Sequence, residues 1–66
     1  MGGLLLGEYR LYCLDQNRHI AHGEWFAADD DDHAIALVTA KRLGIHCELW
    51  SGNRMVAKIP AHVTAP

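Results

Sequence analysis

From Glu8 to Leu14 apolar and aromatic residues follow a two-residue period, with Tyr9, Leu11 and Cys13 on one side of an extended chain and Arg10, Tyr12 and Leu14 on the other. That pattern predicts a strand. Asp15-Gln16-Asn17-Arg18 suits a turn, because Asp and Asn bond their own backbone and Asn17 can adopt the left-handed conformation. His19 to Phe26 then returns as a second strand, with Ala21 and Trp25 on one side and Ile20 and Phe26 on the other. Gly23 in its middle points to a bulge or to the close approach of another element.

The pattern changes at Ala27-Ala28-Asp29-Asp30-Asp31-Asp32, where an Asp N-cap and carboxylates in a first turn predict the start of a helix. Asp29 with Asp32 approximates a capping box. Helix-compatible residues continue to Leu43, Lys41 and Arg42 lie near the negative end of the dipole, and Gly44 is placed to end the helix in the left-handed conformation. Ala34, Ile35, Ala36, Leu37, Val38, Ala40 and Leu43 nearly encircle this segment, which predicts burial on more than one side.

Alternation resumes over Ile45 to Trp50 and again over Met55 to Ile59, a second hairpin. A strict two-residue turn at Gly52-Asn53 sets Leu49 opposite Val56 and Cys47 opposite Lys58. A three-residue loop, Gly52 to Arg54, instead aligns Cys47 and Leu49 with Ile59 and Ala57, and that register keeps the apolar face intact. Pro60 lacks an amide hydrogen and closes the last strand. The expected organisation is a flexible N-terminus over 1–7, one ββαββ domain over 8–60 and a tail over 61–66.

These elements predict an α+β fold: a four-stranded antiparallel sheet of two hairpins in the order 2-1-3-4, with one helix across one face. The uncovered face is then expected to carry Tyr12, Leu14, Ile20, Phe26 and Trp50 among charged neighbours. That is an apolar surface to leave wet, so these five are the candidate interface residues, and a homodimer through the open face or an edge strand is the leading structural expectation. Trp50 stands out. With Cys47 and Leu49 facing the helix it points away from the core beside His46 and Glu48, either as an interface residue or as a cover for the open face together with Tyr12 and Val56.

Composition narrows the possible functions. Sixty-six residues make one domain near the lower limit of independent folding, and a hydrophobic fraction of 50% with 21% charged residues is that of a globular chain. Six Lys and Arg against eight Asp and Glu give a net charge of -2, and the cations are scattered, so no phosphate-binding stripe is present and nucleic acid is not an expected partner. The apolar patch Leu4-Leu5-Leu6 lacks the length of a signal peptide or a membrane span, Leu6 stands where a myristoylation motif wants Ser or Thr, and the expected compartment is the cytoplasm.

Candidate chemistry is sparse. Asp29 to Asp32 with His33 could be read as a cation site, but adjacent helical residues diverge by about 100° and the helix-start reading explains all four acids. Cys13, Cys47, His19, His22 and His46 could in principle ligate zinc or copper; His46 and Cys47 face opposite sides of a strand, however, and both cysteines fit the apolar face as reduced thiols. No nucleophile with an orienting base, phosphate loop or metal-water motif is present, so no catalytic, cofactor or metal residues are assigned and the chain is read as a non-enzyme.

The segments YRLYCLDQNRHIA, FAADDDDHAIALV and CELWSGNRMVAKI resemble a group of small alphaproteobacterial ββαββ proteins of unknown function. Those read roughly as Tyr-x-Leu-Tyr-Phe-Leu-Asp, an acidic helix start, then Cys-Glu-Leu-Trp and a short turn. The resemblance spans Tyr9 to Ile59, and Cys47-Glu48-Leu49-Trp50 is its most specific piece. It departs at Arg18, where glycine is usual, and at Cys13, where an aromatic is usual. It implies the architecture and carries no activity. The functional expectation is a non-enzymatic, self-associating protein-interaction or regulatory module. A Cys/His metal or redox protein is the alternative, and a nucleic-acid-binding protein a second.

Overall fold

The computed structural model describes residues 7–62; of the expected N-terminal segment only Gly7 is described, as the first residue of a strand, and residues 1–6 and 63–66 lie outside the described residues. The element order is β1 (Gly7–Leu14), β2 (Ile20–Ala28), α1 (Asp31–Ala40), β3 (His46–Ser51) and β4 (Arg54–Ile59). All four strands form one antiparallel sheet in the order β2-β1-β3-β4 with the helix on one face, the predicted α+β architecture. No helix among the described residues is long and apolar enough to cross a membrane.

Tyr9, Leu11 and Cys13 of β1, Cys47 and Leu49 of β3, Ala28 of β2 and Ala34 and Val38 of α1 form the buried core. Ala34 and Val38 are one helical turn apart and bring α1 down onto the sheet. Ile35, Leu43, Ile45, Phe26, Val56 and Ile59 pack around this centre. Ala36, Leu37 and Ala40 on the outer side of α1 are exposed, so within one chain the helix is buried on one side only.

The helix is shorter than its composition predicts. It starts at Asp31 with Asp30 as N-cap, and its last residue is Ala40. Arg42, with φ of 51°, takes the left-handed position expected of Gly44, and the chain turns early enough for Leu43 and Ile45 to pack against the core. The capping contacts are also displaced by one residue. His33 N–H donates to Asp30 Oδ1 at 2.8 Å, and His33 Nδ1 accepts from Asp29 N–H at 3.0 Å. His33 therefore takes the reciprocal place that Asp32 was expected to fill.

Both hairpins adjust register with a bulge. At the second, Ser51 pairs with Arg54 and Trp50 with Met55 around a two-residue turn in which Gly52 has φ of 60°, yet Leu49 pairs with Ala57 and Cys47 with Ile59. The turn is the short one, and the extra residue Val56 restores the register expected from the longer loop, moving Val56 from the open face to the core margin. At the first hairpin Leu14 pairs with Ile20 but Cys13 with His22, which leaves Ala21 as the extra residue. The bulge is thus at Ala21 and not at Gly23. Nor does close approach require glycine at Gly23, since a Cβ there would rest in ordinary van der Waals contact with the Tyr12 ring at 3.4 Å. In the connecting turn Arg18, and not Asn17, is left-handed, with φ of 63°.

At the far end, His62 N–H donates to Leu43 C=O at 2.7 Å.

Candidate functional site

The site is the sheet face that α1 leaves uncovered. Because Tyr9, Leu11 and Cys13 face the helix, Glu8, Arg10, Tyr12 and Leu14 face the other way, and strand pairing sorts their neighbours into rows. The first row crosses all four strands as Trp25, Arg10, Trp50 and Met55. Beside it run Gly23, Tyr12, Glu48 and Lys58, and then Ile20, Leu14 and His46.

Arg10 is the centre of this surface. Its guanidinium carbon lies 5.5 Å from the Trp25 ring centroid and 5.8 Å from that of Tyr12, within reach of a cation–π attraction. The guanidinium also donates to the Tyr12 hydroxyl at 3.3 Å and to the Gly52 carbonyl. Trp50 Nε1 donates to Glu48 at 3.3 Å, which satisfies the polar edge of the indole. These bonds fix the Tyr12 and Trp50 rings on the face and so reduce their rotamer freedom.

Four of the five expected interface residues are on this face: Tyr12, Leu14, Ile20 and Trp50. Phe26 is not. The bulge at Ala21 reverses parity along β2, so Ile20 and Phe26 cannot share a face; Phe26 pairs with Tyr9, and their rings stack on the helix side with centroids 5.8 Å apart. The same reversal brings Trp25 to the open face, where it is 64% exposed, a residue that strict alternation had assigned to the core side. The end of β2 held the missing signal. Ala28 runs directly into the helix start and must lie beneath it, which sends Phe26 and Glu24 inward and Trp25 outward.

The covered face carries the polar groups that anchor α1. Asp31 accepts from the Tyr9 hydroxyl at 2.8 Å and from both terminal nitrogens of Arg54 at 2.9 and 3.1 Å, which fastens the helix start to β1 and β4. The Arg54 guanidinium first, and the Tyr9 hydroxyl second, hold the Asp31 carboxyl below the usual carboxylate range, while the same bond to Asp31, reinforced by burial, raises the Tyr9 hydroxyl. At the β2 edge, hydrogen bonds from His22 and then Lys41 lower the Glu24 carboxyl.

Cys13 and Cys47 are direct register partners on the two central strands and are joined as a disulfide. The expectation of reduced thiols is corrected by that pairing, which sets both side chains facing each other under the helix. Among the described residues no group of three or more His, Cys, Asp or Glu side chains is arranged to hold a metal ion. Comparison with protein-family models, with curated proteins and with solved structures finds no match to this chain.

Proposed function

We propose that this chain is a non-enzymatic protein-interaction or regulatory module that associates with itself through the open face of the sheet or an edge strand. The row Trp25, Arg10, Trp50 and Met55 carries this reading, because it presents two indoles and a thioether around an arginine on a surface that, among the described residues, no other element covers. Aromatic side chains and Arg dominate the energetics of protein interfaces, and here they are already oriented. The face is also balanced in charge, with Arg10 and Lys58 against Glu8 and Glu48. A neutral face of mixed sign can lie against a copy of itself. It suits nucleic acid poorly, since that needs an excess of cations. Two sulfurs bonded to each other do not ligate a metal as thiolates, so the Cys/His metal reading lacks its cysteine ligands in this state.

Sedimentation equilibrium of the full chain, from about one to several hundred micromolar, tests the proposal. Wild type is expected to be a dimer that dissociates on dilution. Trp25→Ala, on the open face and at the β2 edge, is expected to weaken it by roughly 30-fold, the equivalent of about 2 kcal/mol for an interface tryptophan, with little change in melting temperature. A wild type that remains monomeric throughout refutes self-association.

A further inference from the structure

The sheet has two edges, and they are finished differently. The β4 edge is short, carries Arg54 and Lys58, is interrupted by the Val56 bulge and is followed by Pro60, all devices that discourage further strand pairing. The β2 edge has neither Lys nor Pro. From His22 to Ala28 it runs seven residues in unbroken register with β1, and among the described residues nothing pairs with its outer side.

Exposed apolar side chains collect along that same edge. Ile20 at 62% and Trp25 at 64% flank it on the open face. On the helix side Leu37, 40% exposed, lines an open notch with Phe26, Ala40, Glu24 and Lys41. Thus three of the four exposed large hydrophobic residues border β2, on both faces of the sheet. The notch also carries charges of both signs, Lys41 Nζ lying 3.2 Å from Glu24.

We infer that β2 pairs antiparallel with β2 of a second copy, about a two-fold axis at Trp25. This rests on the self-association proposed above and names its route. The unbroken run His22–Ala28 has its midpoint at Trp25, so the two-fold pairing that uses all seven residues sets Trp25 opposite itself and Glu24 opposite Phe26. The alternative axis at Glu24 would oppose two carboxylates and shorten the ladder.

Pairing at Trp25 joins the two sheets into one of eight strands with both helices on the same side. It draws the two Leu37 side chains toward each other over the seam, beside the Lys41–Glu24 pair that each copy makes within itself. The aromatic rows of the two open faces become one continuous strip.

Charge reversal at the axis is the test. Trp25→Lys and Trp25→Glu each place like charges opposite each other in a homodimer, and the exposure of Trp25 keeps the fold intact, as circular dichroism should verify. Alone, each variant is expected to dissociate at concentrations at least ten times those at which wild type does; mixed in equal amounts, they are expected to recover a heterodimer, detected by native mass spectrometry. Dimerisation of both single variants at the wild-type concentration overturns the β2 seam while leaving the proposed module intact, and loss of association in Trp50→Ala alone would then move the contact to the middle of the face. A monomeric wild type removes both. Dissociation of each variant without recovery on mixing also overturns the two-fold at Trp25.

Discussion

The two faces of this sheet are made by the same alternating strands, yet they select side chains by opposite criteria. On the covered face the centre is built from Leu11, Cys13, Cys47 and Leu49 beneath Ala34 and Val38, all of them small or medium in size. On the open face the centre is Arg10 and Tyr12 between Trp25 and Trp50. A helix lying on a sheet restricts the height of the side chains between them, whereas a surface that ends in solvent or in a partner has no such limit. The largest aromatic residues of this chain therefore do not mark its core.

That contrast is tested most severely by truncating one residue on each face. Leu49→Ala leaves a cavity beneath α1 and is expected to cost about 2–5 kcal/mol, enough to unfold much of a population whose domain is small. Trp25→Ala removes more atoms but is expected to cost the fold under about 1 kcal/mol, because its side chain is already largely in water. Urea denaturation of the two variants, at concentrations where wild type is monomeric, measures both. Equal losses would break the distinction between the faces.

The disulfide lies wholly on the covered side and provides the next test. It closes a loop with a sequence separation of 34, for which the chain-entropy argument gives about 4 kcal/mol as an upper figure and engineered or native bridges return about 2–4. Reduction is expected to lower the urea midpoint by a corresponding amount, and Cys13→Ala with Cys47→Ala should abolish the effect of reductant. A midpoint insensitive to reductant in the wild type would show that packing under the helix, and not the bond, holds the seam between β1 and β3.

Much of this division was legible in the residues. Tyr9, Leu11 and Cys13 alternate cleanly, Asp29 to Asp32 announce a helix start, and the preserved pairing of Cys47 and Leu49 with Ile59 and Ala57 follows from keeping apolar positions together. What escaped was local parity. Each hairpin inserts one residue, Ala21 or Val56, and alternation counted from either end of such a strand gives opposite answers. Phe26 and Trp25 exchanged faces for this reason. The cysteine bond escaped because the order 2-1-3-4 sets β1 beside β3 without fixing their register, and only the register brings Cys13 opposite Cys47.

Acid provides a smaller test, directed at how the helix is fastened. Asp31 is held below its ordinary range by Arg54 and then Tyr9, so the stability it contributes is present above the unfolded-state value of about 4 and is lost as pH falls through the lower folded-state value. Glu24, lowered by His22 and Lys41, acts in the same direction. Melting temperature is expected to fall below about pH 4 in the wild type and to fall less steeply in Arg54→Ala, whose Asp31 has lost its main partner. Parallel curves for the two proteins would mean that the Asp31 contacts do not secure α1.

The smallest effect concerns the turn from which the parity of β2 is set. Asp15 Oδ1 accepts from the backbone of Asn17 at 2.8 Å and of His19 at 2.9 Å, which closes the turn and forces the residue between them to complete it. That residue is Arg18, fully outside the core, at φ of 63°, where a side chain costs about 1 kcal/mol relative to glycine. Arg18→Gly relieves this strain but enlarges the conformational freedom of the unfolded chain, which takes back part of the gain. The net expectation is about 0.5 kcal/mol of added stability, read as a small rise in urea midpoint. Gly52→Ala, at φ of 60° in the other hairpin, should move the midpoint the opposite way. Neither residue belongs to the aromatic row, so dimer dissociation constants should follow wild type in both variants. A destabilised Arg18→Gly would mean that Arg18 supports the hairpin through its side chain and that the turn is not held by Asp15 alone.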